Sequence, residues 1–94
     1  MTDPETVERG TLEAVVKRAI VKVAPDADPE SLDPEEDLWY ALDLDSMDQL
    51  NIMVAIEGAT GITIPEVDYP KLETVEEMID YLGRRRSQPD RPQD

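Results

Sequence analysis

A chain of 94 residues has room for one small domain. It contains no cysteine and no histidine, which excludes disulfides, thiol nucleophiles, imidazole bases and the usual zinc sites. Its 23 acidic and 9 basic residues leave a net charge of -14, a balance that repels nucleic acid and anionic membrane and favours partners with basic surfaces.

The charge is unevenly spread. From Ala24 to Gly83 there are seventeen acidic residues and one basic residue, Lys71. An electropositive partner is therefore expected to dock on the middle of the chain. The opening Met1-Thr2-Asp3-Pro4 lacks the basic-then-apolar pattern of a secretion signal, and no apolar run is long enough for membrane insertion. A cytoplasmic monomer is the expectation.

Asp3-Pro4-Glu5 reads as a helix start, with a capping acid and proline at the first helical position. Leu12, Val15, Val16, Ala19, Ile20 and Val23 then recur at helical spacing and mark one buried face. Gly10 weakens the early part, so the firm helix is expected from near Thr11. Ala24-Pro25 ends it, because the residue before proline avoids the helical region.

Pro25 to Leu44 reads as a long loop strapped across the helices, with a turn near Pro34-Glu35-Glu36-Asp37. Leu32, Leu38, Trp39, Leu42 and Leu44 are its apolar pins. Trp39 is assigned to packing.

A second helix opens around Asp45-Ser46-Met47-Asp48. Two registers fit. Asp45 can be the N-cap, accepting from the N–H of Met47 or Asp48, which leaves Ser46 as the first helical residue with its hydroxyl free. Alternatively Ser46 is itself the N-cap and Gln49 closes a capping box. In the first register a phosphodiester on Ser46 would sit where a helix end favours anions, and Asp48 would help to hold a bridging cation. Along this helix Met47, Leu50 and Val54 fall on one side, and Ile52, Ala55 and Ile56 on nearly the opposite side. One stripe belongs to the core. The other marks either total burial or a face for a partner.

Gly61 is a left-handed cap for that helix. Ile62 to Pro65 reads as extended, and Glu66 to Tyr69 as one helical turn before Pro70. Thr74-x-x-Glu77 is a capping box for a last helix with Val75, Met78, Ile79 and Leu82 on its apolar face. Gly83 is expected to close it. Residues 84–94, with two prolines and no apolar side chain, read as a disordered tail behind a domain of residues 1–83.

The ordered series of motifs resembles the acyl carrier protein family from about Asp37 to Leu82. Asp45-Ser46-Met47-Asp48 is similar to the family's Asp-Ser-Leu-Asp. Ala55-Ile56-Glu57, Gly61-Ile62-Thr63-Ile64-Pro65, Lys71-Leu72-Glu73-Thr74-Val75 and Ile79-Asp80-Tyr81-Leu82 follow at the expected spacing. The resemblance implies an all-α four-helix bundle with three longer helices, one short helix and a long loop between helices one and two. It implies 4'-phosphopantetheine attached covalently to Ser46 by a phosphopantetheinyl transferase, with Asp45 and Asp48 beside it. The thiol that the sequence lacks would come from this arm, which would hold acyl groups as thioesters for acyl-loading, condensing or acyltransferase enzymes of fatty-acid, polyketide or related specialised biosynthesis. Docking would run along the second helix, through Met47, Leu50, Val54 and Glu57. Asn51 and Gly58 stand where the family commonly has glutamates, and Trp39-Tyr40 are unusual for it, which points to a carrier serving one pathway.

Two alternatives remain at this level. The Asp-Ser-Met form also resembles D-alanyl carriers, which bear an aminoacyl cargo. An unmodified acidic interaction module would keep the same fold. No catalytic residue is expected, because nothing pairs a carboxylate with a nucleophile or an imidazole. No metal site is expected either: Asp43, Asp45 and Asp48 lack the spacing of an EF-hand loop and offer only weak, non-specific cation binding.

Overall fold

The computed structural model describes residues 4–87, with side-chain surroundings described over residues 9–85. Its helices are α1 (Pro4–Val23), α2 (Leu38–Ala41), α3 (Ser46–Thr60) and α4 (Val75–Ser87), with 3-10 turns at Pro29–Ser31 and Glu66–Lys71. No strand occurs among the described residues. The fold is the expected all-α bundle of three long helices, with the Glu66–Lys71 turn as its short one.

α1 packs on both α3 and α4. Its apolar face puts Leu12, Val16, Ala19 and Ile20 in the core, whereas Val15 and Val23 are only half-buried. Between α1 and α4, Arg9 pairs with Glu76 and Asp80, and Leu12 lies beside Gly83. The helix starts at Pro4, as the Asp3-Pro4-Glu5 pattern predicts, and runs on through Gly10, so its regular part does not wait for Thr11. One glycine costs only about 1 kcal/mol in a helix, and the face buried behind it outweighs that. Asp3, the expected cap, lies outside the described residues.

The long connection to α3 is a strap, as its apolar pins imply, but it carries structure that periodicity cannot register. Pro29 is buried in the first 3-10 turn, and Lys17 of α1 bridges Glu13 and Glu30 to hold that turn. The turn at residues 34–35 forms as expected, and the strap then crosses the start of α4. There Glu76 N–H donates to the Pro34 carbonyl (2.9 Å) and Leu38 N–H to the Glu73 carbonyl (2.7 Å). Leu38 is fully buried, and Leu32, Trp39, Leu42 and Leu44 pack against the core from outside. The Trp39 indole N–H is buried with no acceptor among the described residues, so apolar packing alone positions the ring.

α4 starts at its capping box: Glu77 N–H donates to Thr74 Oγ1 (3.0 Å), and Thr74 N–H donates to Glu77 Oε1 (3.2 Å). Val75, Met78, Ile79 and Leu82 are buried as their spacing requires. Two expectations at the C-terminal end are corrected. Gly83 does not close the helix, which continues to Ser87, so residues 84–87 are helical rather than part of a tail. The reason lies outside the local sequence: Arg85 lies over the Tyr81 ring at 4.8 Å and reaches Asp68 at 3.3 Å. Residues 88–94 lie outside the described residues.

Candidate site at the start of the third helix

Two helix caps placed back to back set the position of Ser46. α2 ends in a Schellman motif, in which Leu44 N–H donates to the Trp39 carbonyl (2.9 Å) and Asp43 N–H to the Tyr40 carbonyl (3.2 Å). That motif needs a left-handed residue, and Asp43 takes the role at φ 55°. Two residues later Asp45 caps α3. Its side chain accepts from Asp48 N–H at 2.9 Å, and Asp48 reciprocates on Asp45 N–H at 3.3 Å. This settles the register: Asp45 is the N-cap and Ser46 the first helical residue, not the cap.

Ser46 is exposed, and its hydroxyl has no hydrogen bond among the described residues. The first-turn N–H groups have no carbonyl one turn earlier, so the helix end presents partial positive charge beside it. Asp48 is half-buried and spends a carboxylate oxygen on the capping box, not on a cation. Among the described residues no group of acidic side chains converges closely enough to hold a metal ion.

The two-stripe reading of α3 needs one correction. The buried arc is Ile52, Met53 and Ile56, so Met53 belongs to the core, while Leu50 is half-buried without packing against it. Met47 (62% exposed) and Val54 (53%) do face solvent. Glu57 is not a free surface acid: it is half-buried, and its carboxylate accepts from Ile64 N–H at 2.7 Å, tying the loop after Gly61 to the helix. Gly61 supplies the left-handed cap at φ 76°.

Two features were beyond sequence reasoning. A groove between the end of α1 and the first turns of α3 is lined by Lys22, Val23, Asp48, Asn51, Val54 and Ala55. It joins residues more than twenty positions apart, and no local spacing signals it. The second feature is Asp68, which holds the Glu66–Lys71 turn to α4. It accepts from the Tyr81 hydroxyl at 2.6 Å and pairs with Lys71 and Arg85. The Tyr81 hydroxyl, with help from both cations, holds the Asp68 carboxyl below the usual carboxylate range. Burial, together with the bond to Asp68, pushes the Tyr81 phenol up to about 12.

Comparison with known proteins agrees with this geometry. Residues 14–82, a span that includes Ser46, match the family model described as the phosphopantetheine attachment site. The chain is 32% identical over 68 residues to an acyl carrier protein of Thermosynechococcus vestitus, covering 72% of this chain and 84% of that one. It is 32% identical over 60 residues to an acyl carrier protein of Syntrophobacter fumaroxidans (64% and 74%). It is 34% identical over 55 residues to one from Rubrobacter xylanophilus (58% and 68%). No solved structure matches the chain. A serine freed at a helix start, in a bundle that these relatives span for most of their length, places the chain in the acyl carrier protein family, whose members carry 4'-phosphopantetheine.

Proposed function

We propose that Ser46 is the attachment point and that the chain presents acyl thioesters on its arm to enzymes of fatty-acid, polyketide or related biosynthesis. The observation that supports this best is the spare hydroxyl. Asp45 and Asp48 satisfy the helix cap between them, so the exposed Ser46 side chain has no structural task. A phosphodiester at that position meets the positive end of the α3 dipole.

In loading, Ser46 Oγ loses its proton and forms a P–O bond to the phosphopantetheinyl group of coenzyme A, whose pyrophosphate bond breaks to release 3',5'-ADP. The arm supplies the thiol that this cysteine-free chain lacks. The chain's own part is to hold Ser46 in place and to offer the outward face of α3. On that face the docking contacts are Met47 and Val54, with Leu50 at the edge and Glu57 occupied by the loop. Partners with basic surfaces fit the acidic middle of the chain.

The test is loading of the wild type and Ser46→Ala by a broad-specificity phosphopantetheinyl transferase with fluorescent coenzyme A and magnesium. Label on the wild type alone, with both proteins melting at the same temperature, is the expected result. Equal label on both would refute Ser46 as the site.

A further inference from the structure

In a chain of net charge -14, the exposed side of α3 is uncharged. Its exposed residues are Ser46, Met47, Asn51, Val54, Gly58 and Ala59. Both acids of the helix are half-buried and engaged: Asp48 accepts from Asp45 N–H, and Glu57 from Ile64 N–H. Met47, Asn51, Val54 and Gly58 fall within about 60° of arc and form one stripe about 16 Å long, which begins one residue after Ser46.

Gly58 is a second, independent observation. A glycine within a helix costs stability relative to alanine. A Cβ at Gly58 would meet no atom within 4 Å, and its backbone is not in the left-handed region. Neither packing nor backbone geometry within the described chain therefore requires the missing side chain. A surface pressed close against the helix from outside does require it. Charge narrows what that surface is. An arginine or lysine buried on the stripe would lose its water and meet no free carboxylate. In the flanking groove, which shares Asn51 and Val54 with the stripe, Lys22 and Asp48 offset each other.

We infer that the enzyme that loads Ser46 seats an uncharged, apolar helical face along Met47, Asn51, Val54 and Gly58, approaches most closely over Gly58, and places its basic residues off the stripe, against the exposed acids of the strap such as Glu35 and Glu36. The inference deepens the docking reading above and rests on Ser46 being the attachment point. A helix suits the stripe because rows of side chains at this spacing interlock with those of another helix. Asn51 is the one polar contact within it.

The experiment first confirms by intact mass that the wild type gains one phosphopantetheinyl group from the broad-specificity transferase. It then measures melting temperature, and kcat and KM for the carrier, in the wild type, Gly58→Ala, Asn51→Gln and Asn51→Glu. Gly58→Ala is expected to melt higher, because alanine favours the helix, yet to raise KM about threefold or more with kcat unchanged, because its methyl group holds the partner off. Asn51→Glu should raise KM about tenfold, because it buries an unpaired charge, although one more acid on a chain of -14 hardly alters steering. Asn51→Gln should stay within about twofold of the wild type. A lower KM for Asn51→Glu would place a basic group of the enzyme on the stripe and overturn the inference. An unchanged KM for Gly58→Ala would show that nothing approaches there and overturn it too. Sedimentation of the wild type as a dimer that Asn51→Glu dissociates would assign the stripe to a second copy, with the same consequence. Absence of any mass gain in the wild type would instead defeat the attachment reading, and the inference with it.

Discussion

Asp43 is the one residue other than glycine held in the left-handed region among those described, at φ 55°. An L side chain there costs about 1–2 kcal/mol, and aspartate tolerates it better than a branched residue. The Schellman motif at the end of α2 requires this conformation, and the motif delivers the chain to Asp45. Asp43→Val should therefore lower stability by about 1–2 kcal/mol, and Asp43→Gly should leave it unchanged or raise it by up to about 1 kcal/mol. Urea titration of both variants checks this. Loading of Asp43→Gly should proceed at the wild-type rate, because that substitution keeps the cap geometry. Ser46 itself contributes nothing to the cap, which is why its removal is expected to cost loading and not fold.

α3 depends on its first turn. Asp45→Ala removes one half of the capping box and leaves Asp48 N–H without its acceptor. The expected loss is about 1 kcal/mol, a fall in melting temperature of roughly 4–8 °C for a domain of this size. The Glu66–Lys71 turn buries no side chain fully and is held to α4 largely by Asp68. Because folding lowers the Asp68 carboxyl, its contribution is complete above the unfolded value of about 4 and is lost as pH falls through the lower folded value. Tyr81 works in the opposite sense: folding raises it to about 12, so its contribution is intact below the unfolded value and is lost as pH climbs toward the folded one. Wild type should thus exceed Asp68→Asn in stability at neutral pH, and the two curves should converge in acid. A constant gap across the range would show that the carboxylate charge is irrelevant to the latch.

The elements that sequence made legible are those with a local signature. The caps at Thr74 and Gly61, the apolar spacing of α1 and α4 and the series of motifs around Ser46 can all be read within a few residues. α2 could not be read, because four residues, Leu38–Ala41, contain barely one helical turn. It forms because Leu38 inserts in the core while Asp37 caps it. Gly83 misled for the complementary reason: contacts from Arg85 to Asp68 and Tyr81 carry the helix past it. Glu57 looked like a docking acid until the fold brought Ile64 N–H to it. Lys22 and Asp48 came to line one groove only when α1 packed beside α3.

Taken whole, the molecule is an anion of charge -14 with Ser46, the proposed attachment point, in the acidic part of the chain and an uncharged strip, Met47 and Val54, on the helix it opens. In the proposed docking, long-range attraction would bring a basic partner in, and the apolar strip would be where the two surfaces close. The transferase kcat/KM should therefore fall about tenfold between low salt and roughly 0.5 M salt, as expected for steered association. Val54→Glu should reduce kcat/KM while leaving the melting temperature close to that of the wild type, since Val54 is exposed. A drop in melting temperature with unchanged kinetics would return Val54 to the core and remove it from the docking face. The most direct measurement of all is the intact mass of the wild-type chain after transferase, coenzyme A and magnesium, followed by peptide mapping. One added phosphopantetheinyl group on the peptide bearing Ser46 is the predicted result. A folded chain that gains no mass beside an active transferase control, or gains it at another residue, would contradict the account.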